Sequence, residues 1–235
     1  MNILGLQKLT LLDYPGRLAA IIFLGGCNFR CPFCQNSSLV LTPHTLPVIS
    51  PEEFSNFLKK RSGMLDGICV TGGEPTLHAD LPDLFRQIHD AGFLTKLDTN
   101  GTNPNMLQYL IEEKLVDYVA MDIKAGRDNY KKVCGLGKTS DNNPLIHIQE
   151  SADLLMHSSI EYEFRTTLVK GLHTADDISD ISDWITGCRA WYLQSFRDCP
   201  EILLEKHTFS AFSNEEMKQL LFLAQKKIPS AELRG

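Results

Sequence analysis

The sequence predicts an α/β fold built on a parallel sheet. Apolar runs that are typical of buried strands alternate with helix signals along most of the chain. The run at residues 18–24 is apolar at every position, which is typical of a strand buried on both faces. Several helix signals are caps, in which a serine or asparagine precedes the first turn. Six strand–helix units result. This pattern alone is compatible with a partial barrel or with an open, doubly wound sheet.

Each unit rests on a local signal. Ser50 and Glu53 form a capping box around Pro51, and Ser213 with Glu216 forms a second one before the last helix. Gly92 is expected to end the second helix. The predicted strands occupy residues 18–24, 67–71, 93–97, 116–121, 160–168 and 190–195. The predicted helices contain, in order, Phe54, Leu84, Leu107, residues 144–157, Ile181 and Leu220.

The chain is predicted to form a single domain, because neither a repeat nor a linker interrupts the pattern. Residues 1–16 are a lead-in without an assigned structure, residues 17–210 form the core, and residues 211–235 form a C-terminal helix and tail. The least regular segments are expected to be loops. These loops are residues 39–49, 126–143 and 196–208.

Composition narrows the classes of function. The 235 residues are 43% apolar and 22% charged, with a net charge of −6. That balance argues against a nucleic-acid binder with a broad basic face, and the chain contains no run long enough to span a membrane. The segment LAAIIFLGGC resembles a lipoprotein signal, but Asp13 stands where a basic region is required and the apolar run is too short. We therefore expect a cytoplasmic protein, in which clustered thiols indicate metal or redox chemistry rather than disulfides.

Three of the seven cysteines, Cys27, Cys31 and Cys34, lie within eight residues. Iron–sulfur clusters are held by thiolates, and a four-iron cluster with three cysteine ligands keeps one iron open for another molecule. A structural site would be closed by a fourth ligand. A zinc site completed by a distant histidine and a redox disulfide between Cys31 and Cys34 are the alternatives. The other four cysteines are expected to be structural: Cys69, Cys134, Cys188 and Cys199.

Polar and charged residues gather where the predicted strands end. In a parallel βα barrel, functional residues lie at the carboxyl ends of the strands. Buried charge is costly unless it is paired or used, and the segments VAMDIKA and EFRTTLV place charges against apolar strand sequence. These residues are suited to binding a ligand with ammonium, carboxylate and ribose groups. They comprise Gly72, Gly73, Glu74, Asp98, Thr99, Asn100, Asp122, Lys124, Arg165 and Gln194.

The spacing C-x3-C-x2-C resembles the signature of the radical S-adenosylmethionine (SAM) enzymes. The segments LDYPG, GCNFRCPFCQN, TGGEPTL, DTNG, MDIKA and YLQSFR resemble the glycyl-radical-enzyme activating proteins. Among these the chain looks most like the longer type that activates anaerobic ribonucleoside-triphosphate reductase, a relative of the pyruvate formate-lyase activating enzyme. The resemblance runs over nearly the whole chain. It implies a partial (β/α)6 barrel and one 4Fe–4S cluster that reductively cleaves SAM to a 5′-deoxyadenosyl radical.

The resemblance also assigns residues. It implies that Cys27, Cys31 and Cys34 hold the cluster. Relatives often have histidine at the position of Gln35, so no role is carried over to that side chain. The SAM site implied in this way comprises Asn36, Gly72, Gly73, Glu74, Asp98, Asn100, Lys124, Arg165 and Gln194. A monovalent cation, Na⁺ or K⁺, is implied at Asp98, Thr99, Met121 and Asp122.

The implied protein substrate is a glycyl radical enzyme, from which the radical abstracts a glycine Cα hydrogen. A flavodoxin or ferredoxin-like protein is the implied electron donor, and neither nucleic acid nor membrane is an expected partner. Pyruvate formate-lyase or another glycyl radical enzyme would require nearly the same activase. Two further alternatives are a radical SAM enzyme acting on a small molecule, of the carboxy-deazaguanine synthase type, and a non-catalytic metal-binding module.

Overall fold

The computed structural model describes residues 1–136, 144–199, 201–204 and 208–234. The strands of these residues are β1 Ile3–Thr10, β2 Ala19–Leu24, β3 Gly67–Gly72, β4 Leu94–Thr99, β5 Tyr118–Asp122, β6 Glu161–Leu168, β7 Trp191–Ser195 and β8 Ala231–Arg234. The helices are α1 Ser37–Leu41, α2 Pro51–Arg61, α3 Leu81–Asp90, α4 Pro104–Glu112, α5 Tyr130–Val133, α6 Leu145–His157, α7 Ala175–Trp184 and α8 Asn214–Gln225. Within the described residues, no helix combines the length and apolar character that crossing a membrane requires.

The strands form one sheet in chain order, from β1 to β8. β1 pairs with β2 antiparallel, whereas β2, β3 and β4 pair in parallel, as do β6, β7 and β8. This arrangement confirms the predicted α/β class. A doubly wound sheet reverses its strand order at a switch point, and this order contains no reversal. The sheet is open, with β1 and β8 at its two ends.

The chain divides into two compact units that interleave in sequence. The first comprises Met1–Asn28, Ser38–Thr99 and Asn103–Ala120, and the second comprises Phe29–Ser37, Asn100–Thr102 and Met121–Gly235. In the first unit, β2 and β3 are almost wholly buried, and for β2 the continuous apolar run at residues 18–24 predicted this. In the second unit, the large buried side chains include Tyr130, Phe164 and Trp191. The assignment of a single domain stays a prediction.

The predicted helix caps form as hydrogen bonds. The Ser50 hydroxyl accepts from the Glu53 N–H at 3.1 Å. Ser213 and Glu216 satisfy each other's backbone N–H groups in a complete capping box. Gly92, which follows α3, has a φ of +87°, a left-handed conformation that glycine adopts without steric cost. These local signals therefore set the boundaries of the helices that they flank.

Four elements lie where no regular structure was predicted. Strand β1 occupies the unassigned lead-in, α1 begins in front of the predicted loop 39–49, α5 lies within 126–143, and β8 lies in the tail. Helices α1 and α5 and strand β8 have only four or five residues each, and β1 forms by antiparallel pairing with β2, so pairing and packing rather than local propensity decide these elements. Residues 137–143 of one predicted loop, and residues 200 and 205–207 of another, lie outside the described residues.

Strand β8 is attached to the second unit by a buried charge pair. The Glu163 side chain is fully buried, and its two oxygens accept from the Arg234 guanidinium at 2.6 and 2.8 Å. The guanidinium also lies 3.5 Å from the centre of the Tyr192 ring. Because removing one partner leaves a buried charge uncompensated, Arg234→Met is expected to lower the free energy of unfolding by about 3 kcal/mol. Urea denaturation measures this change.

Arg86→Met is the matched control. Arg86 pairs with Asp83 on the exposed surface of α3, and such pairs contribute less than about 1 kcal/mol. Equal effects of the two substitutions would contradict the assignment of a structural role to the buried pair.

Candidate active site

The Gly72-Gly73-Glu74 turn follows β3 and is held against the backbone that follows β2. The Gly73 N–H donates to the Leu24 carbonyl at 2.9 Å, and the Glu74 N–H donates to the Gly26 carbonyl at 2.8 Å. A Cβ atom on Gly73 would lie 1.8 Å from the Gly26 oxygen. The turn therefore requires glycine because two backbones meet there, and it lies beside the residue that precedes Cys27.

The Glu74 carboxylate is held rigidly inside the first unit. Only 1% of the residue is exposed. Its Oε1 atom accepts from the Thr76 N–H at 3.0 Å, the Thr76 hydroxyl at 2.6 Å and the Thr99 hydroxyl at 2.7 Å. These bonds stabilise a buried negative charge and fix its orientation. The structure thus brings together two residues predicted for the site, Glu74 and Thr99.

Asp98, also in the first unit, is paired with a lysine that was not predicted as a site residue. Lys96 and Asp98 lie two residues apart on β4, so their side chains leave the same face of the strand. The Lys96 ammonium donates to Asp98 Oδ1. Lys96 is 1% exposed and Asp98 is mostly buried. The two-residue spacing could have indicated this pair from the sequence, but only if both residues were known to lie on one strand.

The cysteine loop contributes Cys31 and Cys34 to the second unit. The Cys34 N–H donates to the Cys31 carbonyl at 3.0 Å, which forms a tight turn. Several bonds fix this loop to distant segments: Arg30 N–H to the Cys134 carbonyl at 2.9 Å, Leu203 N–H to the Cys34 carbonyl at 2.9 Å, and Gln35 Nε2 to the Arg197 carbonyl at 2.7 Å. The side chain of Gln35 therefore has a structural contact in this chain.

The two thiols of this loop differ in their environments. A hydrogen bond with Cys134 lowers the pKa of the Cys31 thiol, burial opposes this effect, and the charge of Lys124 adds to it. Burial raises the pKa of the Cys34 thiol, against a hydrogen bond with the Asn36 backbone. Cys134 is itself fully buried. Cys134 was predicted to be structural, and in the fold it contacts Cys31, a predicted cluster ligand. The spacing of the cysteines in the sequence gave no sign of this contact.

A second charge group surrounds Asp122, at the end of β5. Its Oδ2 accepts from the Lys124 ammonium at 2.8 Å, and its Oδ1 accepts from Arg165 Nε at 2.8 Å. Burial acts to raise the pKa of Asp122, but the charges of Arg165 and Lys124 outweigh it and bring that pKa to about 2. The Lys124 ammonium and the Arg165 guanidinium are the groups here whose charge suits them to bind an anionic group such as a carboxylate.

The backbone around Lys124 is fixed as well. Its N–H donates to the Tyr130 hydroxyl at 3.2 Å, and His173 Nε2 donates to its carbonyl at 2.7 Å. His173 is buried, and burial lowers the pKa of its imidazole. Neither Tyr130 nor His173 was predicted to contribute to the site. Their contacts fix the backbone of Lys124 at its N–H and at its carbonyl.

The remaining predicted residues are distributed over both units. Asn100 Oδ1 accepts from the Thr102 N–H at 3.0 Å and from the Thr102 hydroxyl at 2.7 Å, which forms a turn after β4. Gln194 is half-buried on β7, where it pairs in register with Thr167. Cys27 is half-buried in the first unit. None of these placements by itself assigns a ligand.

Thiolates such as those of the cysteine loop are the ligands that an iron–sulfur cluster requires. Among the described residues, no three His, Cys, Asp or Glu side chains are grouped closely enough to hold a metal ion. The chemistry of the loop fits nevertheless, since Cys31 and Cys34 both have hydrogen-bond partners at sulfur. Hydrogen bonds of this kind stabilise thiolates and tune clusters. Cys31 and Cys34 are the residues of the second unit that would hold the cluster.

The close approach at Gly73 predicts a large effect on stability. Gly73→Ala places its methyl group on the Gly26 carbonyl, so the two backbones must separate. We expect a loss of about 3 kcal/mol in the free energy of unfolding, measured by urea denaturation. Gly171→Ala is the comparison, because Gly171 has a φ of +89° and open space at the Cβ position. It should cost about 1 kcal/mol, from backbone strain alone. Equal losses would contradict the close approach.

Comparison with known proteins identifies relatives of the chain. Residues 21–178 match the radical SAM superfamily. A protein of Methanocaldococcus jannaschii, named as a candidate glycyl-radical enzyme activating enzyme, is 33% identical over 235 residues, or 98% of this chain and 94% of that protein. A 7-carboxy-7-deazaguanine synthase of Aquifex aeolicus is 35% identical over 88 residues, or 37% of this chain and 38% of the synthase.

A solved structure shares the fold. The crystal structure of a radical SAM methyltransferase from Sphaerobacter thermophilus matches with a TM-score of 0.72, over 96% of this chain and 68% of the methyltransferase. The sequence identity is 17%, so this likeness concerns the fold alone. The superfamily match, in contrast, covers more than half of the chain, and the M. jannaschii relative matches almost all of it. The chain therefore belongs to the radical SAM superfamily, among the relatives of glycyl-radical enzyme activating enzymes.

Proposed function

We propose that this protein is an activase, which generates a glycyl radical on a partner enzyme. The observation that carries the proposal is the contact of the Gly72-Gly73-Glu74 turn with Gly26, through the 2.8 Å bond from the Glu74 N–H. The residue that carries the buried, oriented carboxylate is thereby bonded through its backbone to Gly26, which precedes the first cysteine of the motif. The near full-length similarity to the M. jannaschii protein that is named as a candidate glycyl-radical enzyme activating enzyme supports the same function.

The proposed roles follow from charge and position. Cys27, Cys31 and Cys34 would hold one 4Fe–4S cluster, which would supply the electron for reductive cleavage of SAM to methionine and a 5′-deoxyadenosyl radical. Glu74 is suited to receive the SAM ammonium group because its charge is buried and fixed. The positive charges of Lys124 and Arg165 are suited to the SAM carboxylate. We assign Asn36, Asp98, Asn100 and Gln194 to the remainder of the SAM site on the family resemblance.

The partner we propose is anaerobic ribonucleoside-triphosphate reductase, with a flavodoxin or ferredoxin-like protein as the electron donor. In this reaction the radical takes a hydrogen atom from a glycine Cα of the reductase, which leaves 5′-deoxyadenosine and a glycyl radical. Pyruvate formate-lyase or another glycyl radical enzyme is the alternative partner within the same function. A monovalent cation at Asp98 and Asp122 also stays a prediction, and both carboxylates already have cationic partners in this chain.

The partial match to a 7-carboxy-7-deazaguanine synthase favours one second candidate, a radical SAM enzyme that acts on a small molecule. Two experiments on anaerobically reconstituted protein separate the functions. Reductant and SAM alone should give 5′-deoxyadenosine, detected by chromatography, and absence of this product would contradict radical SAM chemistry. Adding purified anaerobic reductase should then give a glycyl radical signal by electron paramagnetic resonance. Product from SAM without a radical on any glycyl radical enzyme would favour the small-molecule alternative.

A further inference from the structure

Lys96 is a buried cation that the proposed chemistry does not use. It lies on β4 of the first unit, is 1% exposed, and is among the largest fully buried side chains of the described residues. In register it lies opposite Cys69 on β3, and its ammonium is 5.9 Å from the centre of the Tyr118 ring. Cys69 belongs to an apolar cluster against which Tyr118 packs.

The partner of this ammonium is the Asp98 carboxylate, which accepts a hydrogen bond from it. Asp98 is itself mostly buried, with 15% of its side chain exposed. A buried carboxylate needs a nearby cation or several hydrogen-bond donors, since solvent cannot stabilise its charge. In this chain the cation is covalently part of the protein, and it leaves the same face of the same strand as the carboxylate it neutralises.

The second carboxylate implied for a monovalent cation is compensated in the same way. Asp122, in the second unit, is bonded by both Lys124 and Arg165 at 2.8 Å. Each of the two carboxylates therefore has a side-chain cation within its own unit. Because Lys96 already neutralises Asp98, that carboxylate is a poor ligand for Na⁺ or K⁺, since an added cation would meet the ammonium at close range.

We propose that the Lys96 ammonium replaces the monovalent cation, so that this protein works without Na⁺ or K⁺. Lys96 is then a charge-compensating residue that positions Asp98 rather than a catalytic residue. The proposal rests on the proposed function only where SAM binding is concerned. The charge compensation itself concerns the folded protein with or without SAM.

The first test compares salts on the reconstituted wild-type protein. KCl, NaCl and tetramethylammonium chloride are used at equal ionic strength, because tetramethylammonium is too large to enter a cation site. We expect the thermal midpoint to be the same in all three salts and the SAM dissociation constant, from equilibrium dialysis, to vary less than about twofold. A saturable requirement for K⁺ or Na⁺ in the wild type would overturn the proposal.

Two substitutions at Lys96 test the site itself. Lys96→Ser removes the charge and opens space beside Asp98, so SAM affinity should fall by about tenfold in tetramethylammonium chloride and recover in KCl or NaCl. Lys96→Met removes the charge but fills the space, so its affinity should fall without recovery. Lys59→Met, on the exposed face of α2, is the matched control and should resemble the wild type.

The outcomes distinguish a failure of the cation-replacement proposal from a failure of the proposed function. Equal losses for Lys96→Ser in every salt would mean a purely structural lysine and would overturn the proposal. If neither Lys96 variant folds, the wild-type comparison decides by itself. Failure of the wild type to bind or cleave SAM would instead count against the proposed function, and the thermal midpoints in the three salts would still test the cation replacement.

Discussion

Replacing Cys31 with alanine is expected to abolish 5′-deoxyadenosine formation, by a factor of at least about 1,000. Cys31 is buried, and its thiolate is favoured by the Cys134 hydrogen bond and the Lys124 charge. Loss of this thiolate removes one of three proposed cluster ligands, and two cysteines do not hold a four-iron cluster in an open-site geometry. Iron and sulfide content after anaerobic reconstitution should fall together with the product.

Cys134→Ala provides a matched control. This cysteine is as buried as Cys31 and is its hydrogen-bond partner, but it lies outside the C-x3-C-x2-C motif. Iron content should therefore stay near that of the wild type, with a moderate loss of stability from the small cavity of about 1 kcal/mol. If Cys134→Ala loses iron as completely as Cys31→Ala, Cys134 is a ligand and the three-cysteine assignment is wrong. If Cys31→Ala keeps its iron, the cluster assignment itself is wrong.

Glu74→Gln is expected to weaken SAM binding by about 10- to 100-fold while the protein stays folded. Glutamine has the same shape, and its amide oxygen can keep the bonds from Thr76 and Thr99. The substitution therefore removes the buried negative charge and little else. Equilibrium dialysis measures the SAM dissociation constant, and circular dichroism confirms that the fold is retained.

Glu52→Gln, in the exposed first turn of α2, is the control for this charge change and should leave SAM affinity unaltered. Thr99→Val should have a smaller effect than Glu74→Gln, because two of the three donors to Oε1 remain. Unchanged SAM affinity in Glu74→Gln would mean that Glu74 only stabilises the turn.

Local sequence alone determined the helix starts, the buried strands and the cysteine loop. Ser213 and Glu216 form the capping box that their spacing predicts, since a cap involves groups within one turn. The apolar run at residues 18–24 forms β2 because no other arrangement buries it so completely. The C-x3-C-x2-C spacing indicated the superfamily, because ligands of one cluster must lie close together in the chain or in space.

Only the tertiary structure decided which charged residues pair and which strands lie at the edges of the sheet. β8 is four residues long and exists through its pairing with β7, so its own sequence gave little sign of it. The Cys31–Cys134 contact and the Asp122–Arg165 pair join residues far apart in the chain. Lys96 and Asp98 are two residues apart in the sequence, but it is their burial in the fold that makes them a buried ion pair. Burial and long-range pairing depend on the assembled fold, because the energy of a charge is set by its surroundings rather than by its sequence neighbours.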